Sequence, residues 1–273
     1  MKKLDNLLSI GEIGANDILS NDIRSDGFKL SHELISIANP AFIPKSSKRV
    51  IGTMIEYKEL MMMYSCAMKE IRTKFDVLNT EFKIRYQRNP INYIGTRLKS
   101  TASILKKMES KHIPFTIEHI ENEILDVAGV RVICSYIDDI YSIAEALLRQ
   151  DDIKLIKQKD YIAYPKSNGY RSLHLVVSVP VFFAEHQKQI TVEVQIRTIA
   201  MDFWASLEHQ LRYKHQISDG AEITEQLKEC SDIISDVDSR MHNLRLKIEA
   251  NRDTPSEEEV LIEKLGKMDV FID

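Results

Sequence analysis

Val192, Val194 and Ile196 alternate with Glu193, Gln195 and Arg197, and the same period of two returns at residues 130–134 and 173–179. Successive side chains of a strand point to opposite faces, so each run carries one apolar and one polar face. A helix cannot use that spacing. Three half-buried strands in mid-chain require a sheet with a core on one side, and a further strand is expected near Lys154 to Ile162. Around them the period lengthens. Leu60, Tyr64, Ala67, Ile71, Phe75, Leu78 and Phe82 recur at steps of three and four, which predicts a long amphipathic helix. From Thr198 the pattern is helical again through TIAMDFWASLEHQLRYK. Helices before, between and after the strands make this an α/β or α+β domain, a mixed β-sheet covered by helices.

Ile223, Leu227, Cys230, Ile234, Val237, Met241, Leu244 and Ile248 follow alternating steps of four and three. Such a narrow seam belongs to a helix paired with another helix, either in its own domain or in a second subunit. Met61, Met62 and Met63 read as core filler, since a thioether chain adapts to irregular gaps. Residues 1 to about 50, with two prolines in IANPAFIPKSSKR, read as an irregular or weakly helical extension.

At 273 residues and 44% apolar content the chain can bury a full core. A formal charge of -4 argues against a broad nucleic-acid footprint, so any polyanion site must be local. Cys66, Cys134 and Cys230 lie far apart with no CxxC pair, and are expected to be reduced and buried. No continuous apolar segment is long enough for a leader or a membrane span, which makes a cytoplasmic setting the expectation.

The common phosphate-cradling loops, GxxxxGK[ST] and GxGxxG, are missing, as are an HD pair and HExxH. Polar residues gather instead at strand edges and helix starts. In GTRLKSTASILKK, Arg97 and Lys99 precede Ser103, and Lys107 follows one turn later, so the group can converge where backbone N–H groups also favour anions. By itself that run also suits a solvated face. Asp126 precedes the strand bearing Arg131, where a carboxylate can ligate Mg²⁺ or merely cap a helix. Glu193, Gln195 and Arg197 share one strand face, and His174 sits with Ser172 on another. In KDYIAYPKSNGYRSLH, at 159–174, Pro165, Ser167, Asn168 and Gly169 form a loop whose backbone can approach a ligand closely. Its mixture of cations and aromatic rings suits something flat and anionic.

Taken in order, RNPI at 88–91, RLKSTASILKKM, DVAGVRVIC, KDYIAYPKSNGYRSLH, EVQIRTIAMDFWASLEH and RYK at 212–214 resemble the motifs of the RelA/SpoT alarmone synthetase family, above all its small stand-alone members. The resemblance implies a nucleotidyltransferase-like fold with long N- and C-terminal helices, and transfer of pyrophosphate from ATP to the 3′-OH of GDP or GTP. The product would be the stringent-response alarmone (p)ppGpp, with AMP released. Matched motif by motif, Arg97, Lys99, Ser103, Lys107 and Arg131 would bind ATP. Asp126 and Glu193 would be the catalytic carboxylates and hold Mg²⁺, while Lys166, Tyr170, His174 and Gln195 would serve the acceptor nucleotide, with Tyr170 stacking on guanine. The tail resembles the oligomerising helices of the small synthetases, which implies a homotetramer.

The organisation expected is an extension at 1–53, a synthetase domain at 54–215, and assembly helices with a tail at 216–273. The N-terminal 50 or so residues exceed what compact members of the family carry. No hydrolase signature precedes the synthetase motifs, so synthesis without degradation is expected. Two rivals remain: the same chemistry on tRNA 3′ ends or adenosine nucleotides, and a non-catalytic module binding nucleotide or single-stranded RNA. The second predicts a lost carboxylate, yet Asp126 and Glu193 are both present.

Overall fold

The computed structural model describes residues 45–86, 88–214, 220–250 and 265–266. The expected extension falls mainly on residues 1–44, and the tail beyond 250 lies almost wholly outside the described residues, as do the side chains of 212–214. The chain divides into two units, residues 1–55 and 56–273. Of the first, only the opening turns of a helix are described, and the fold below is that of the second.

Helix α1 (Lys45–Tyr86) leads into strand β1 (Ile91–Leu98), followed by helices α2 (Thr101–Ser110) and α3 (Ile117–Glu123), strand β2 (Ala128–Cys134) and helix α4 (Ile137–Leu148). Strands β3 (Lys154–Asp160), β4 (Leu173–Phe182) and β5 (Gln187–Thr198) come next, then helices α5 (Ile199–Lys214) and α6 (Gly220–Ala250). The sheet order is β1-β2-β5-β4-β3, with β2 and β5 parallel and the other neighbours antiparallel. This is the expected mixed sheet flanked by helices.

The period-two strands explain its core. Val130, Val132, Leu175, Val177, Val192, Val194 and Ile196 are buried in one cluster with Leu60, Tyr64, Ala67, Ile71, Phe75 and Leu78 of α1. Ile140, Ile143 and Leu147 of α4 join them, as do Ile104 and Met108 of α2. Met61 and Met63 pack against this core, whereas Met62 is exposed. Of the cysteines expected to be buried only Cys134 is; Cys66 is half-buried and Cys230 exposed.

Strand β1 was hidden from period analysis. Its pairing with β2 shifts register between Ile91 and Tyr93, so the alternation changes phase within eight residues.

Helix α6 also departs from expectation. Leu227 is buried against Trp204 and Ala205, with Ile223 and Ile234 packed alongside. Beyond them the seam is bare, since Val237, Met241, Leu244 and Ile248 are all exposed. What seats the helix is a polar stripe at intervals of seven: Ser231 donates to Gly169 O, Asp238 accepts from Thr198, and Arg245 donates to Asp138 on α4. Among the described residues no helix is long and apolar enough to cross a membrane.

Candidate active site

Strand register assembles the site on the polar face of the sheet. Directly opposed residues share a face, and here they form two adjacent rows across all five strands. One runs Arg97, Gly129, Glu193, Val176, Lys157; the next runs Gly95, Arg131, Gln195, His174, Lys159. Gly129 brings no side chain into these rows, and over Gly95 the ring of Tyr93 stands 3.0 Å from where a Cβ would be.

Two cavities open on this face. Arg97, Lys99, Asp126, Arg131, Glu193 and Gln195 line the first, of about 310 Å³. Lys107, Lys111, Asp126, Lys157, Lys159, His174 and Glu193 line the second, of about 260 Å³. Asp126 and Glu193 belong to both.

Asp126 reaches this divide because Lys99 N donates to Val127 O at 2.8 Å and extends the β1–β2 pairing past the strand end. Its Oδ2 then meets Lys99 Nζ and Lys107 Nζ, each at 2.7 Å. Burial pushes its pKa up, but the two ammonium groups more than reverse this and hold it below the ordinary carboxylate value. Oδ1 is buried and has no hydrogen-bond partner.

Glu193 is held in a similar way. Gln195 Nε2 donates to its Oε2 at 2.8 Å, and His174 Nδ1 lies 3.5 Å from Oε1. Burial again raises the pKa, while His174 and Gln195 lower it by more, so this carboxyl too is ionised more readily than a free one. The carboxylates are therefore charged at neutral pH despite being largely out of water.

Behind them Arg197, only 4% exposed, is a hub. It donates to Asp202 at 3.1 Å, Gln195 at 2.9 Å and the Tyr170 hydroxyl at 2.5 Å. The same hydroxyl lies within hydrogen-bond distance of His174 Nε2, at 2.8 Å. His174 thus bridges the two groups, with Nε2 toward the Tyr170 hydroxyl and Nδ1 toward Glu193. Asp202 also lies 3.4 Å from Arg131, which closes a polar circuit from the first cavity to the loop around Tyr170.

That loop is built by short-range bonds. Asp160 Oδ1 accepts from Ile162 N and Ala163 N, and Gly169, at φ 89°, lets its N–H return to Lys166 O at 2.8 Å. The Lys166 ammonium stands 4.6 Å from the Tyr170 ring centroid and 4.7 Å from that of Tyr161. Arg197 lies 5.0 Å from the Tyr170 centroid. A flat ligand stacking on Tyr170 must displace one of these cations, and exposed Lys166 is the freer.

Of the residues singled out from sequence, Arg97, Lys99, Arg131, Asp126, Glu193, Gln195, Lys107 and His174 come together at the paired cavities. Gln195 lines the first cavity rather than the one with His174. Ser103 lines neither; its hydroxyl lies 2.9 Å from that of Ser100, the residue capping α2. Lys166 and Tyr170 also line neither and reach the centre only through His174 and Arg197. Sequence reasoning missed Lys111, Lys157, Lys159, Tyr161 and Asp202. Lys157 and Lys159 were within reach, being two apart on a strand already expected.

Residues 96–218 match the family described as a region found in RelA / SpoT proteins. The chain is 39% identical to the GTP pyrophosphokinase YwaC of Bacillus subtilis, over 72% of its own length and 93% of that protein's. Against the GTP pyrophosphokinase YjbM of the same organism the identity is 34%, covering 71% and 90%. Its fold superposes on the small alarmone synthetase 1 of Bacillus subtilis bound to its product pppGpp, with a TM-score of 0.65 and 35% identity over 70% of this chain and 97% of that one. A GTP pyrophosphokinase family protein from Streptococcus pneumoniae matches with a TM-score of 0.65 at 32% identity, over 76% and 97%. Sequence and fold thus agree with the geometry of the paired cavities: this chain belongs to the RelA/SpoT family, among its small alarmone synthetases.

Proposed function

We propose that this protein transfers the β,γ-pyrophosphate of ATP to the 3′-OH of GDP or GTP, releasing AMP and forming (p)ppGpp. The observation that carries this reading is the position of Asp126 and Glu193 on the boundary of two cationic cavities. ATP would occupy the first, with Arg97, Lys99 and Arg131 on its phosphates. The acceptor would enter the second, its guanine toward Tyr170 and Lys166, its 5′-phosphates met by Lys111, Lys157 and Lys159. Phosphoryl-type transfer depends on positioning and charge neutralisation more than on a covalent nucleophile, and the lysines and arginines supply both. Glu193, ionised and aligned by Gln195 and His174, takes the proton of the attacking hydroxyl.

Asp126 and Glu193 suit Mg²⁺, which binds through one or two carboxylates together with substrate phosphates. The unclaimed Asp126 Oδ1 is the ligand atom this requires. When bound, the ion would neutralise charge on the transferring phosphates.

The bare seam of α6 supports assembly through this helix, and the tetramer expected from the family fits it. Residues 54–215 would then be the catalytic domain and α6 the assembly element, in a cytoplasmic enzyme. Incubation with ATP, Mg²⁺ and, separately, GDP, GTP, GMP, ADP and tRNA, resolved by anion exchange, tests the reading. Product only with GDP or GTP is expected. Product only with ADP or tRNA would reassign the acceptor, and no product at all would leave a binding module.

A further inference from the structure

Helix α6 lies against the loop assigned to the acceptor, and the contact is close. Ser231, 5% exposed, donates to Gly169 O at 2.6 Å and accepts from Arg171 Nη1 at 2.8 Å. Arg171 Nη1 also lies 3.3 Å from Gly169 O, and Nη2 reaches Asp232 at 3.1 Å. A Cβ on Gly169 would fall 2.5 Å from Ser231 Cβ, on a backbone already at positive φ. The glycine is thus demanded twice, by its own conformation and by the helix against it. One residue on, Tyr170 packs against the cluster of Trp204, Ala205 and Leu227, as do Ile223 and Ile234 of α6, and the Trp204 indole donates to Leu227 O at 2.9 Å.

We propose that Ser231 and Arg171 are positioning residues for acceptor recognition: they clamp the Gly169 carbonyl onto α6 and so fix the direction in which Tyr170 is presented. The proposal rests on the assignment of this loop to the acceptor nucleotide. Neither residue approaches the paired cavities, so their effect must pass through the loop. Without the serine hydroxyl, the Gly169 carbonyl keeps only the longer bond from Arg171, and the loop samples orientations that a bound guanine would have to select against.

Ser231→Ala, Arg171→Gln and Tyr170→Ala are to be compared in steady-state kinetics with both substrates varied. Trp204 is the only tryptophan and belongs to the cluster against which Tyr170 packs, so its fluorescence is the probe of acceptor affinity without turnover. Ser231→Ala and Arg171→Gln are expected to raise the GDP or GTP KM and Kd about five-fold or more, the worth of one buried hydrogen bond, with the ATP KM within about two-fold of the wild type on the same scale. An equal rise for both substrates would mean a general structural role and would overturn the proposal. So would an unchanged acceptor KM and Kd in both variants while Tyr170→Ala weakens acceptor binding. If Tyr170→Ala also leaves the acceptor unaffected, the loop assignment fails and the clamp fails with it. Should Ser231→Ala not fold, Arg171→Gln carries the same comparison.

Discussion

At the scale of single residues, the centre depends on two carboxylates kept ionised against burial. Glu193→Gln keeps the shape and the Gln195 contact but removes the proposed base, and Asp126→Asn removes the charge between Lys99 and Lys107. Each is expected to lower kcat at least ten-fold, about 1.4 kcal/mol of barrier, as measured by single-turnover rates. Because both folded pKa values lie below those of free carboxyls, these groups bind protons more weakly folded than unfolded. They stabilise the fold above the unfolded pKa of about 4, and that contribution disappears only as pH falls through the lower folded values. Replacing Lys99 and Lys107 together by Met leaves the burial of Asp126 unopposed, which reverses the sign. The acid limb of the pH–rate profile should then move to higher pH. An unmoved limb would mean that another group sets it. Glu193 and Gln195 were legible in the sequence because a period of two fixes their common face. The pairing of Asp126 with Lys99 was not, since it depends on β1 continuing beside β2 past its own end.

Among the elements, α6 separates two kinds of contact that one heptad pattern had merged. Its first turns bury Leu227 in the domain and its later turns expose Val237, Met241, Leu244 and Ile248. Period analysis finds apolar residues in line, but cannot tell which of them a domain ends early enough to leave bare. Ile234 packs against the domain, so a charge there would injure the fold itself. Met241→Asp with Leu244→Asp is the cleaner test: both sites are exposed in the isolated chain, and burial of unpaired carboxylates is costly only in an assembly. Light scattering should show an oligomer for the wild type and a smaller species for the double variant, with circular dichroism unchanged. A monomeric wild type at micromolar concentration would remove the interface. Strand β1 illustrates the opposite failure, in which a register shift erased a period that the pairing itself shows to be real.

For the molecule as a whole, the sheet brings residues far apart in sequence into two rows, so the site needs every strand at once. The core beneath is correspondingly intolerant: Phe75→Ala in α1, which is fully buried, should cost about 3–5 kcal/mol in denaturant unfolding and take activity with it. The polar stripe of α6 imposes a different discipline, one on inheritance. Ser231, Asp238 and Arg245 each bond to a separate element, the loop, the end of β5 and the start of α4. Losing or gaining a single residue between them would turn everything downstream by about 100° and displace it by about 1.5 Å. A point change disturbs one contact, whereas a change of length would unseat every attachment downstream of it. Aligned descendants of this gene should therefore change letters between positions 231 and 245 far more readily than they change the number of residues there, with gaps confined to stretches that have only one end to keep in place.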